Sequence, residues 1–79
     1  MNLYLISQHE NNDYDTYDSA VVAASTEEIA RNTHPSAGGW EHACHNWCSD
    51  PSAVTVELIG TTDKQYHDGE IVISSFNAG

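Results

Sequence analysis

Apolar positions in this chain gather into short runs, LYLI, AVVAA, VTVELI and EIVISSF, each bounded by polar or turn-forming residues. Runs of this length that are rich in β-branched and aromatic side chains predict strands rather than helices. The first strand is expected over Asn2–Ser7 and the second over Ser19–Ser25. The second is almost continuously apolar, as happens where both faces of a strand are covered. AVTVELIG, residues 53–60, alternates instead: Val54, Val56 and Leu58 point one way, Thr55 and Glu57 the other. That is the pattern of a half-exposed strand. Asp68-Gly69 signals a turn, and Glu70–Phe76 is the expected last strand.

Two segments carry a helical signal. Ser25-Thr26-Glu27-Glu28 spells a capping box with Ser25 as N-cap, and the two glutamates suit the positive end of a helix. The helix runs through Ile29, Ala30 and Arg31 toward His34, where Pro35 stops it, and Ile29, Ala30 and Thr33 are expected to face the sheet. WEHACHNWC, Trp40 to Cys48, spaces Trp40, Cys44 and Trp47 for a short second helix. Asp50-Pro51 breaks the chain before the third strand. There is no internal repeat, low-complexity tract or linker. The order β-β-α-(short α)-β-β predicts a single α+β domain spanning residues 1–79. It is a small antiparallel sheet of about four strands with one or two short helices on one face.

Length and charge narrow the function. A chain of 79 residues allows one modest core. Twelve acids face two bases, Arg31 and Lys64, for a formal net charge of -10. Such a field repels nucleic acid and anionic membranes, because affinity for phosphate comes from Lys and Arg. It suits a cation or a basic protein surface. The two cysteines, Cys44 and Cys48, are too close in sequence for their bridge to add much by loop entropy, and a secreted domain of this size usually carries more. MNLYLISQHE has no basic leader region and no segment approaches the ~20 apolar residues that span a bilayer. The expected setting is a reducing cytoplasm.

Taken together, LYLISQ, YDTYDSAVVAAS, EEIARNTHPS, VTVELIG and SSFNAG resemble a group of short, uncharacterised proteins of bacteriophages and prophages. The resemblance covers most of the chain, with WEHACHNWC its least familiar part. It implies an intracellular, phage-encoded accessory protein of the host cell and says nothing of catalytic residues. Small acidic phage proteins often act by binding a host protein, and some imitate the negative surface of nucleic acid to inhibit host defences.

Three stretches are candidate sites. HENNDYDTYDS, His9 to Ser19, gathers Glu10, Asp13, Asp15 and Asp18 around Tyr14 and Tyr17 in what reads as a protruding loop. As a calcium loop counted from Asp13 it fails, since its sixth position is Asp18 rather than glycine and its twelfth is Ala24 rather than glutamate. As a protein-contact surface it fits: tyrosines supply contact area and carboxylates meet Arg and Lys. Against this stands an ordinary solvated loop in which one tyrosine packs on the sheet edge. HACHNWC brings zinc-ligand types together in His42, Cys44, His45 and Cys48, but one tetrahedral site rarely draws all its ligands from so short a stretch, and a cysteine packed under Trp40 and Trp47 accounts for it as readily. No cofactor or metal is assigned; a small metal-binding module on this cluster is the alternative. A Cys-His nucleophile lacks an orienting third group, a phosphate loop or cations for an oxyanion, so no enzyme is expected. The sequence therefore points to a non-enzymatic protein that binds a host protein through Glu10, Asp13, Tyr14, Asp15, Tyr17 and Asp18, with further contributions from Glu41, Asp50, Asp63, Asp68 and Glu70. A free sheet edge offers a route to a homodimer.

Overall fold

The computed structural model describes residues 1–11, 15–36, 40 and 46–77. They form β1 (Asn2–Ser7), β2 (Thr16–Ala24), helix α1 (Glu27–Arg31), a 3-10 turn (Pro51–Ala53), β3 (Thr55–Thr61) and β4 (Glu70–Asn77). The four strands make one antiparallel sheet in the order β3-β1-β2-β4, the small α+β arrangement expected from the element order. β2 and β3 run parallel with β1 inserted between them, and α1 lies on the connection that joins them. The link from β3 to β4 has to cross the end of the sheet. It is held there by Thr62 N–H donating to the Met1 carbonyl and Gly69 N–H donating to the Ala23 carbonyl.

Register decides which side chains form the core. Tyr4 and Ile6 pair with Val22 and Ala20 on one side and with Leu58 and Val56 on the other. Val22 continues the row to Ile71. This face meets Ala30 of α1 together with Trp47, Cys48 and Val54, and Ile6, Val22, Ala24 and Ala30 have no exposed surface. The alternate positions Leu3, Leu5 and Ser7 pair with Ala23, Val21 and Ser19, and Val21 and Ser19 with Ile73 and Ser75. This second face carries no helix among the described residues, and Ile73 is 65% exposed. Both outer strands are bulged: Ile59 interrupts the pairing of β3, and Val72 that of β4. The bulge in β4 turns Ile71 to the core and Ile73 away from it, although they are two residues apart.

The helix start departs from the predicted one. Thr26, not Ser25, is the N-cap, extended at φ -139° with its hydroxyl accepting from Ile29 N–H at 3.2 Å. The reason is a distant competitor. Ser25 N–H and Oγ–H both donate to the Asp68 carboxylate, at 2.7 and 2.6 Å, so the serine is bound to the β3–β4 link. The helix also ends at Arg31, before Pro35 can act. Asn32 Nδ2 donates to the Glu28 carbonyl and Thr33 Oγ to the Ile29 carbonyl, closing the last turn with side chains. The second strand begins at Thr16 rather than Ser19, so Tyr17 and Asp18 lie in the sheet and the loop before them is shorter than predicted. Most of the second predicted helix, residues 41–45, falls outside the described residues; Trp40, Asn46 and Trp47 beside it are not helical.

The asymmetry of the sheet is measurable. Ile6→Ala should cost roughly 2–5 kcal/mol in urea unfolding, as for a fully buried aliphatic residue. Ile73→Ala should cost under about 0.5 kcal/mol.

Candidate functional site

The β1–β2 end of the sheet is built around a buried amide. Gln8 is 2% exposed, directly after β1. Its Nε2 donates to the Asn11 carbonyl at 2.7 Å and the Tyr17 carbonyl at 3.1 Å, and its Oε1 accepts from Asn11 N–H at 2.8 Å. A buried amide costs free energy unless its donors and acceptor are met, and here they are met by the backbone on both sides of the loop. The segment after residue 45 closes over this end. Tyr17 N–H donates to the Asn46 carbonyl, and Ser49 N–H donates to Glu10 at 2.7 Å. Glu10 is therefore an intramolecular anchor, and the Ser49 bonds hold its carboxyl below the usual range.

Beyond this anchor lies an exposed corner made by the start of β2 and the end of β4. Asp15 has φ 61°, a left-handed conformation that Asp tolerates better than most residues, and its N–H donates to the Asn77 carbonyl. Tyr17 packs against the core cluster and meets Phe76 edge-on, with ring centroids 4.7 Å apart at 68°. Phe76 remains 45% exposed. Asp18 occupies a bulge between Tyr17 and Ser19 and is exposed to solvent, accepting a long bond from Ser19 Oγ. An exposed phenyl ring held by a tyrosine thus sits at the same end of the sheet as the exposed carboxylates Asp15 and Asp18. The strand bulge, which sequence periodicity does not reveal, is what leaves Asp18 without a partner across the ladder.

The predicted contact residues consequently divide. Asp15 and Asp18 are exposed, Tyr17 supports the aromatic pair, Glu10 is tied to Ser49, and Asp13 and Tyr14 lie outside the described residues. Of the further carboxylates, Glu41 lies outside the described residues and Asp63 is exposed. Asp50 caps the 3-10 turn through Ser52 N–H, Asp68 holds Ser25, and Glu70 accepts from His67 N–H. Phe76 and Gln8 are the residues that sequence reasoning missed. The first was read simply as the end of a strand and the second as part of the familiar LYLISQ run.

The cysteine–histidine cluster is only partly described: His42, Cys44 and His45 lie outside the described residues. Cys48 is buried in the core beside Trp47, with its S–H turned to the Asp50 carbonyl at 3.5 Å. Burial pushes its thiol pKa up, away from the thiolate that a nucleophile or a zinc ligand requires. His34 meets Trp40 and Trp47 edge-on at 4.9 and 6.4 Å, and its Nδ1 accepts from Ser36 N–H, which requires a neutral nitrogen there. Burial lowers its pKa. Trp40 is fastened by its indole N–H to the Asn32 carbonyl. Among the described residues no group of three or more His, Cys, Asp or Glu is placed to hold a metal ion.

Of the two bases, Arg31 is used inside the molecule. Its guanidinium donates to the Val54 carbonyl, fastening α1 to the entry of β3, and reaches Glu27 at 4.0 Å. The outer carboxylates thus have little internal positive charge to face. No helix among the described residues is long and apolar enough to cross a membrane. Comparison with family models, curated proteins and solved structures finds no match to this chain.

The carboxylates that accept backbone amides carry a pH signature. Glu10, Asp50 and Asp68 all titrate below their ordinary values because Ser49, Ser52 and Ser25 donate to them. Lowered folded pKa values mean that their stabilisation is complete above the unfolded values near about 4 and is lost as pH falls through the lower folded values. Urea midpoints measured against pH should drop in that acid window. Asp68→Asn should lower the midpoint at neutral pH and shrink the acid-dependent drop.

Proposed function

We propose that this protein is a non-enzymatic accessory protein, of phage or prophage type, that binds and modulates a host protein bearing a basic surface. The observation that carries the proposal is the corner where exposed Asp15 and Asp18 share one end of the sheet with a half-exposed Phe76 braced by Tyr17. The net charge of -10 steers a cationic partner in, and the phenyl ring supplies apolar area that is removed from water on contact. An aromatic residue braced by its neighbour loses little side-chain freedom on binding, which suits it to be the energetic centre of a contact.

The distribution of charge favours a local contact over mimicry of a nucleic acid. A phosphate mimic needs carboxylates in a row on one face. Here Glu10, Asp50, Asp68 and Glu70 are turned to backbone amides, and the described acids divide between α1, β3 and the two ends of the sheet. The proposal places the protein in the host cytoplasm, needs no cofactor, and involves no direct contact with nucleic acid or membrane.

Capture of host proteins from lysate on the immobilised chain tests this. A specific partner should be retained at low salt and largely released at high salt, because surface charge attraction is screened. Asp15→Asn with Asp18→Asn should weaken retention mainly through slower association. Phe76→Ala should speed dissociation, by roughly tenfold or more if the ring is a contact centre. Retention that neither salt nor the Asp15→Asn/Asp18→Asn pair alters would overturn the electrostatic mechanism.

A further inference from the structure

We propose that Asp68-Gly69 is a latent self-modification site, at which the Gly69 nitrogen closes on the Asp68 carboxyl to give a succinimide, and that the contacts of the folded turn hold this reaction off. The dipeptide has the intrinsic chemistry. Glycine places no Cβ beside the attacking nitrogen, so ring closure meets less hindrance than before any other residue. A bond forms from Gly69 N to Asp68 Cγ, and the hydroxyl of the protonated carboxyl leaves with the amide proton as water. Water then opens the five-membered imide at either carbonyl. One opening restores aspartate. The other leaves isoaspartate, in which the main chain runs through Cγ and is one methylene longer.

The fold occupies the atoms this reaction needs. Ser25 N–H and Oγ–H donate to the two Asp68 carboxylate oxygens at 2.7 and 2.6 Å. Gly69 N–H, whose proton must be given up, donates to the Ala23 carbonyl at 2.8 Å. Glu70 N–H closes the turn on the His67 carbonyl at 3.0 Å, and a positive φ of 90° at Gly69 but not at Asp68 marks a type II turn. Such a turn fixes the peptide plane after Asp68, and ring closure needs that plane to swing round. The Ser25 bonds also keep the carboxyl ionised to lower pH than usual, whereas only its protonated form can lose water. The isoaspartyl product does not fit the closed turn. Gly69 sits so close to α1 that even a Cβ would meet Thr33 Oγ1 at 3.2 Å and Ile29 Cγ2 at 3.5 Å. An added methylene moves Gly69 away from the Ala23 carbonyl and Glu70 out of its pairing with Ala23. The modification therefore records how often this end of the sheet opens, and once made it works against reclosure.

Ageing of the full chain in warm neutral buffer made with heavy-oxygen water, followed by peptide mapping, tests this. In chain held unfolded by guanidinium chloride, isoaspartate at position 68 should accumulate and carry one oxygen from solvent. In the folded chain it should accumulate roughly tenfold more slowly or less, since the reaction waits on local opening. Ser25→Ala removes the Oγ–H donor at an exposed site and should age at an intermediate rate. Across denaturant concentrations below the unfolding midpoint, the ageing rate and hydrogen exchange of the Gly69 amide should rise together, because both require Gly69 N–H to leave Ala23. The isoaspartyl chain, once separated, should unfold at lower urea than the parent. Equal rates in folded and unfolded chain, or no product at position 68 in either, would overturn the proposal. So would Ser25→Ala ageing no faster than the parent, Gly69 exchange that rises while ageing does not, or an isoaspartyl chain with the parent's urea midpoint.

Discussion

A four-stranded sheet has two faces, and the described residues of this chain cover one. α1, the 3-10 turn and the Trp47–Val54 stretch all pack on the side of Tyr4, Ile6, Ala20 and Val22. Burial on that side supplies the hydrophobic driving force of a domain near the lower limit of independent stability. Everything else follows from the one-sided arrangement. The register of β1 against β2 has to be held, because a slip of one residue would send Ile6 and Val22 outward and Leu5 and Val21 inward. Gln8 holds it at one end, bonding to the carbonyl of Tyr17, and Gly69 holds β2 at the other through the Ala23 carbonyl. Gly69 has φ 90°, and a Cβ there would meet Thr33 Oγ1 at 3.2 Å, so the turn at that end depends on glycine for both conformation and space.

The shortage of cations shapes how the loops are fastened. In a chain with many lysines and arginines, carboxylates commonly find side-chain partners. Here Arg31 is occupied by Val54 and Glu27, and the acids turn to backbone N–H groups instead. Glu10 to Ser49, Asp50 to Ser52 and Asp68 to Ser25 are all of this kind, and two of them join segments far apart in sequence. Charge-assisted bonds to amides are short and directional, which lets a small number of them position loops that have little apolar surface of their own. The acidity of the sequence is thus partly structural.

Strand identity was legible because it rests on local pattern. Asn2–Ser7 was read to the residue, and Glu70–Phe76 to within one. What was not legible involves distant competitors. Ser25 has every local qualification for an N-cap, and Asp68 takes both its donors. Thr16, Tyr17 and Asp18 are polar enough to read as loop, yet they pair with the end of β4, a partner no local pattern reveals. Phe76 carries no local signal for the same reason. Its significance comes from Tyr17 across the ladder and from the bulge at Asp18, both products of pairing. Of the expected contact set, Asp15 and Asp18 are exposed, Tyr17 is half-buried against the core, and Glu10, also exposed, accepts from Ser49 N–H.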